Sequence, residues 1–200
     1  AAWTTDDVIA AANSGDTHTI LDWINAKKPL DDTVSDGYTL MHVAAEAGQA
    51  GVIDLLLLHG ASDEVVDEDL TSPLHLAAAA GRLEAVRSLT SGPTPTLLAL
   101  DKYDMTPFHL ACESGNPDLV RFLVSKFDTR IDARMRRGSA LFIAQRNEHA
   151  SVVEVLQAAN DFLERAERHE PKKPTVHFST NTAGTAEVSE TVPTGDDFAE

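Results

Sequence analysis

Apolar residues in this chain fall in paired short blocks separated by polar stretches. The first block of a pair is rich in alanine, as in His42-Val43-Ala44-Ala45-Glu46-Ala47 and His75-Leu76-Ala77-Ala78-Ala79-Ala80. Such small side chains predict a short helix that lies close against its neighbours. The second block carries larger apolar residues at helical spacing. Val52, Ile53, Leu55, Leu56 and Leu57 form its apolar face in one copy, and Leu119, Val120, Phe122, Leu123 and Val124 in another. Glycine stands between the two blocks, where a helix end favours a left-handed residue. Polar stretches such as Ser62 to Thr71 separate one pair from the next and are long enough for a projecting hairpin-like turn.

These pairs recur with a fixed period. Thr39-Leu40-Met41-His42, Ser72-Pro73-Leu74-His75 and Thr106-Pro107-Phe108-His109 are one tetrapeptide written three times, with histidines 33 and then 34 residues apart. Ser139-Ala140-Leu141-Phe142 is a degraded fourth copy, and Gly48, Gly81 and Gly115 follow the three histidines at the same offset. Counting back 33 residues from Gly48 reaches Gly15, so an earlier unit begins near Asp6 with its tetrapeptide lost. The pattern resembles the ankyrin-repeat family, whose repeat of about 33 residues carries T-P-L-H and two helices. The resemblance covers residues 5–165. It implies an all-α ankyrin-repeat solenoid of stacked helix-turn-helix units with projecting hairpin loops and a concave face. Approximate repeats are 1–33, 34–66, 67–100, 101–133 and 134–169, followed by a disordered tail over 170–200. No unit buries its apolar face alone, so the stack itself is the core.

Several positions depart from the pattern. Gly37, two residues before the first tetrapeptide, is replaced by Leu70 and Asp104 in the next two copies, which puts the shape of those turns in question. An extra residue within Ser91-Gly92-Pro93-Thr94-Pro95-Thr96 predicts a short second helix in the third unit. In the last unit Phe142 replaces histidine and Glu148 replaces glycine, and a long capping helix is expected from about Ser151 to His169. Ile9, Ile20, Leu21, Trp23 and Ile24 are the expected packed residues of the first unit. From Glu170, Pro171, Pro174 and Pro193 among many Ser and Thr mark a tail with too few large apolar residues for a core.

Composition narrows the function. The 200-residue chain holds 32 acidic and 16 basic side chains, a formal charge of −16, which disfavours nucleic acid and anionic membrane as partners. One cysteine, Cys112, excludes an intrachain disulfide and points to a reducing compartment. Asp6 and Asp7 stand where a signal peptide needs basic residues, and no run approaches a membrane span. An intracellular, most simply cytoplasmic, protein that is monomeric by itself is expected. Histidines placed one per repeat cannot cluster as metal ligands, and the resemblance implies that they hydrogen-bond to turn backbone. Cys112 stands where other copies have Ala45 and Ala78, the position of a small packed residue. Asp67-Glu68-Asp69 lacks the glycine and final acid of a calcium loop. No phosphate loop, nucleophile elbow or zinc helix motif is present, so neither an enzyme nor a cofactor is expected.

The resemblance places partner contacts on hairpin tips and on the exposed side of the first helices. The positions so mapped are Asp36, Tyr38, Glu46, Asp69, Thr71, Lys102, Tyr103, Met105, Glu113, Met135, Arg136 and Arg146. Aromatic, Met and Arg side chains are enriched at protein interfaces. Residues 1–103 carry 16 acids and 5 bases, whereas residues 104–169 carry 10 and 9. A protein partner with basic groups towards the first units and acidic groups towards the last is the complement. Alternatively the arginines Arg130, Arg134, Arg136, Arg137 and Arg146 grip the chain's own acidic tail. In that tail Val176 and Phe178, preceded by Lys172 and Lys173, resemble a docking motif of protein phosphatase-1 regulators. The expected function is therefore a non-catalytic adaptor or assembly subunit, with a regulatory subunit docking through its tail as the alternative.

Overall fold

A computed structural model of the chain describes residues 4–34, 37–91, 97–126, 140–169, 175–180 and 186–191, with side chains described as far as Asp161. Among the described residues ten helices run in pairs: α1 (Thr5–Ser14) and α2 (Thr17–Asn25), α3 (Leu40–Ala47) and α4 (Ala50–Leu58), α5 (Pro73–Ala79) and α6 (Leu83–Leu89), α7 (Pro107–Ser114) and α8 (Pro117–Lys126), α9 (Ala140–Arg146) and α10 (Ala150–His169). The first helices α1, α3, α5, α7 and α9 pack side by side in sequence order, and α2, α4, α6 and α8 form a second row. The chain divides into two compact units, residues 1–160 and 161–200.

The core runs along the stack instead of sitting at one centre. Ala44, Ala45, Ala77, Ala78, Ala111, Cys112 and Ala144 are fully buried between first helices. Ile20, Ile53, Val86 and Val120, at equivalent repeat positions, are buried in the second row. Alanine allows the first helices their close approach, and the larger residues fill the wider gap between second helices. Ile20 is buried as expected and Trp23 and Ile24 pack against the core, but Leu21 is 37% exposed. Val8, Ala11 and Ala12 take up the packing on α1 instead. The second helix of the third unit is short, at seven residues.

Caps at the helix starts explain the tetrapeptide. Thr39, Ser72 and Thr106 are N-caps of α3, α5 and α7. His42 Nδ1 accepts the Thr39 N–H at 3.2 Å, and its Nε2–H donates to the Thr71 carbonyl of the next unit at 3.1 Å. His75 repeats the arrangement with Ser72 N–H at 3.2 Å and with the carbonyls of Ala99 and Met105 at 3.1 and 3.3 Å. Each ring therefore ties its own cap to the next hairpin. His109 Nδ1 pairs with the Thr106 hydroxyl at 2.7 Å.

At the other helix end a second link joins successive units. Gln49 donates to Asn13 O, Arg82 to Glu46 O, Asn116 to Gly81 O and His149 to Glu113 O, at 2.9, 3.3, 2.9 and 2.9 Å. Four residue types thus do one job, reaching back to the unit before. They also explain the glycines. Gly115 has φ +76°, and a Cβ there would lie 2.7 Å from the His149 ring; at Gly48, φ +82°, it would meet Arg82 Cδ at 2.8 Å.

Hairpin tips keep one backbone despite losing glycine. Gly37, Leu70 and Asp104 have φ of 81°, 59° and 59°. Where glycine is absent an aspartate holds the tip. Asp67 Oδ1 accepts the N–H groups of Asp69 and Thr71, both at 2.8 Å, and Asp101 Oδ1 accepts those of Tyr103 and Met105 at 2.8 and 2.9 Å. The segment beginning Asp67-Glu68-Asp69 is thus a self-bonded turn. The extra residue of the third unit falls within 92–96, outside the described residues.

In the second unit, strands β1 (Thr175–Thr180) and β2 (Ala186–Thr191) pair antiparallel, Thr175 opposite Thr191 and Thr180 opposite Ala186. A two-stranded ladder by itself is marginally stable in water.

Candidate protein-interaction surface

Repeat geometry sorts the mapped positions into rows. Glu46, Ala79, Glu113 and Arg146 occupy one position in α3, α5, α7 and α9, and all four are exposed. Arg146 lies 3.7 Å from Glu113, so two of these side chains pair across adjacent units. At the tips, Lys102 donates its main-chain N–H to the Asp69 carbonyl at 2.9 Å, and its ammonium pairs with the Asp69 carboxylate. Hydrogen bonding to Asp69, then to Tyr103, holds the Lys102 ammonium above its ordinary pKa. Its Nζ also stands 4.9 Å over the Tyr103 ring, and Tyr103 is 50% exposed. Neighbouring tips are therefore joined, and present one continuous edge.

Three mapped positions differ from a simple outward-facing side chain. Tyr38 is half-buried and stacks on His42, ring centroids 5.4 Å apart. Thr71 is half-buried, its carbonyl taken by His42 and its N–H by Asp67. Met105, expected to be exposed, is 7% exposed. Its N–H bonds to Asp101 and its carbonyl to His75, so its backbone is drawn inward. A flexible apolar side chain at a position half covered in the other units gains by burial. Asp36, Met135 and Arg136 lie outside the described residues, as do Arg130, Arg134 and Arg137. Val176 and Phe178 lie on β1, opposite Glu190 and Val188 of β2.

Among the described residues the buried histidines stand apart, one per repeat. His42 and His75 are fully buried, and burial pushes both imidazoles below their ordinary pKa despite raising contributions from backbone carbonyls and from Asp67 and Asp101. They are neutral links in the fold. Among the described residues no three His, Cys, Asp or Glu side chains are grouped to hold a metal. An open groove of 390 Å³ is lined by Gln145, Glu148, Ala150, Val153 and Glu154. Cys112 is buried in the first-helix row. No described helix is long and apolar enough to cross a membrane.

A family model of ankyrin repeats, in three copies, matches residues 8–99 and again 95–165, most of the chain. The chain belongs to the ankyrin-repeat family. Similar ankyrin sequences occur within much larger proteins. Alpha-latrotoxin-Lh1a of Latrodectus hasselti is 34% identical over 117 residues, 57% of this chain and 9% of the toxin. Transient receptor potential cation channel subfamily A member 1 of Homo sapiens is 34% identical over 102 residues, 50% of this chain and 9% of the channel. The drosophilid counterpart, from Drosophila melanogaster, is 33% identical over 96 residues, 46% of this chain and 8% of the channel. The match thus spans under a tenth of each relative's length. Ankyrin repeats generally mediate protein–protein interaction, and the family is typically non-catalytic.

Sequence reasoning missed the reach-back row of Gln49, Arg82, Asn116 and His149 and the tip-holding Asp67 and Asp101. A signal for the second did exist. Aspartate appears in the two copies that carry Leu70 and Asp104 at the tip, and it is absent, as Val34, in the copy that has Gly37.

Proposed function

We propose that this ankyrin array is a non-catalytic adaptor or assembly subunit that binds a protein partner on the concave face formed by first helices and hairpin tips. The observation that carries the reading is the exposed row Glu46, Glu113 and Arg146 beside the joined tips of Asp69, Lys102 and Tyr103. These side chains occur at equivalent positions on rigid elements, so a partner meets a pre-set array and little is lost to ordering. Charge supports an oriented complex, because Glu46 and the acidic tips precede Arg146 along the stack. Such complementarity sets orientation and association rate more than affinity. A standard interface of about 1,200–2,000 Å² in total is within reach of several repeats.

The test is site-specific photo-cross-linking. A benzophenone amino acid placed at Tyr103 or Glu113 is expected to capture one protein that the same group at Asp118 or Glu84, exposed on α8 and α6, does not capture. Equal capture from both sets, or capture from Asp118 and Glu84 alone, would refute the concave-face assignment.

A further inference from the structure

Large apolar side chains stand exposed on two neighbouring hairpins. Val66 and Leu100 are 34 residues apart, at the same position of successive hairpins, and are 43% and 44% exposed. Leu70 and Tyr103, on the adjoining tips, are 52% and 50% exposed. The main-chain bond from Lys102 to Asp69 holds these tips together, so the four side chains belong to one edge.

Nothing in the fold requires Leu70 to be apolar. Its backbone lies in the left-handed region at φ +59°, where Gly37 stands in one copy and Asp104 in another. Both alternatives cost less there, since a branched side chain is disfavoured in that conformation. Asp67 already holds the tip through the N–H groups on either side of Leu70. Packing does not reward Leu70 either, with half its surface in water. The surroundings are charged in one sense. Glu64, Glu68 and Asp104 are exposed around the edge, and the adjacent cation, Lys102, is paired with Asp69.

We propose that the hairpin edge of the third and fourth units, built on Val66, Leu70, Leu100 and Tyr103, binds an extended polypeptide segment in which apolar residues alternate with Lys or Arg. Apolar side chains of the segment cover the leucines and Val66, and its cations meet Glu64, Glu68 and Asp104. The inference rests on the protein-binding reading above and supplies the chemistry of the partner. Apolar burial gives the affinity, and the acidic rim excludes acidic segments by like-charge juxtaposition.

The experiment pans a random 12-residue peptide library on the full chain, then measures selected peptides by fluorescence anisotropy. Peptides mixing Lys or Arg with large apolar residues are expected, and Leu70→Gly with Leu100→Ser should weaken them at least tenfold. Leu70→Gly should leave the thermal midpoint unchanged or higher, which separates lost contact from lost folding. Enrichment of acidic or uncharged peptides, no enrichment, or binding indifferent to the double variant each overturns the proposal. Glu46→Arg distinguishes the two readings. Peptides that lose binding on Glu46→Arg but not on Leu70→Gly with Leu100→Ser would leave the concave-face reading standing and sink this one.

Discussion

Replacing His75 by alanine tests the idea that one imidazole joins two repeats. The ring is fully buried, accepts the Ser72 N–H, and donates towards the carbonyls of Ala99 and Met105. The Met105 carbonyl keeps a partner in the Asp101 N–H at 3.0 Å, so the losses fall on the buried Ser72 N–H and on the half-buried Ala99 carbonyl, which water can reach. An unsatisfied buried donor costs about 1–3 kcal/mol. The void left by the ring adds about 2 kcal/mol. His75→Ala should therefore lose about 3–5 kcal/mol at pH 7.5, measured by urea unfolding followed by helical circular dichroism. The exposed control Glu84→Ala should stay within about 0.5 kcal/mol. Because the link lies between units, the variant's transition should also broaden or split.

The same residue has a pH signature. Burial lowers the folded pKa of His42 and His75, while in the unfolded chain each takes a proton near pH 6.5. Below that pH the unfolded state binds more protons, so stability falls as pH falls, by about 1.4 kcal/mol per pH unit for each histidine. The loss levels off once the folded ring also protonates. Asp7 and Asp16 are held low by hydrogen bonds from Thr4 and Thr19, so their contribution fades below about pH 4, a separate window. His75→Ala should remove one of the two histidine slopes below pH 6.5. A variant losing under about 1 kcal/mol, or keeping the full slope, would refute this account of the ring.

Other substitutions probe the remaining devices. Gly60→Ala and Gly115→Ala both place a side chain at positive φ, but the first meets open space and the second the His149 ring. We expect a loss of about 1 kcal/mol for the first and at least about 1 kcal/mol more for the second, read by thermal unfolding. Equal losses would remove close approach as the reason for Gly115. Asp101→Ala should cost about 2–3 kcal/mol by orphaning the N–H groups of Tyr103 and Met105. Proteolysis should then start in that tip, and an uncut tip would argue against the turn-holding role. Glu113 and Arg146 are about half exposed, so a double-mutant cycle should give a coupling under about 1 kcal/mol. A larger value would make the pair structural and unsuited to partner contact.

Period, helix pairing and the buried role of the histidines were legible because each repeats one residue type at one spacing. The reach-back links were not, since Gln49, Arg82, Asn116 and His149 share a geometry and no letter. Any side chain with a donor at the right length serves, so identity does not reveal them. Tip conformation was half legible. Loss of Gly37's counterpart suggested altered turns at Leu70 and Asp104, yet Asp67 and Asp101 restore the same backbone by bonding two and four residues ahead. Met105 was read from its repeat position, which ignores that an apolar chain and a polar one fold differently at a half-covered site. Exposure of Glu46, Glu113 and Arg146 was legible because helical position alone decides it.

Binding through the concave face is tested most directly by affinity. The protein captured by cross-linking would be titrated against the full chain, a chain ending at His169, and two double variants. One carries Tyr103→Ala with Arg146→Glu, and the other Glu84→Lys with Asp118→Lys. The account predicts at least a tenfold loss for the first variant, with the second variant and the shortened chain close to the full chain. Full affinity in the first variant, or loss with removal of residues 170–200 alone, would contradict it.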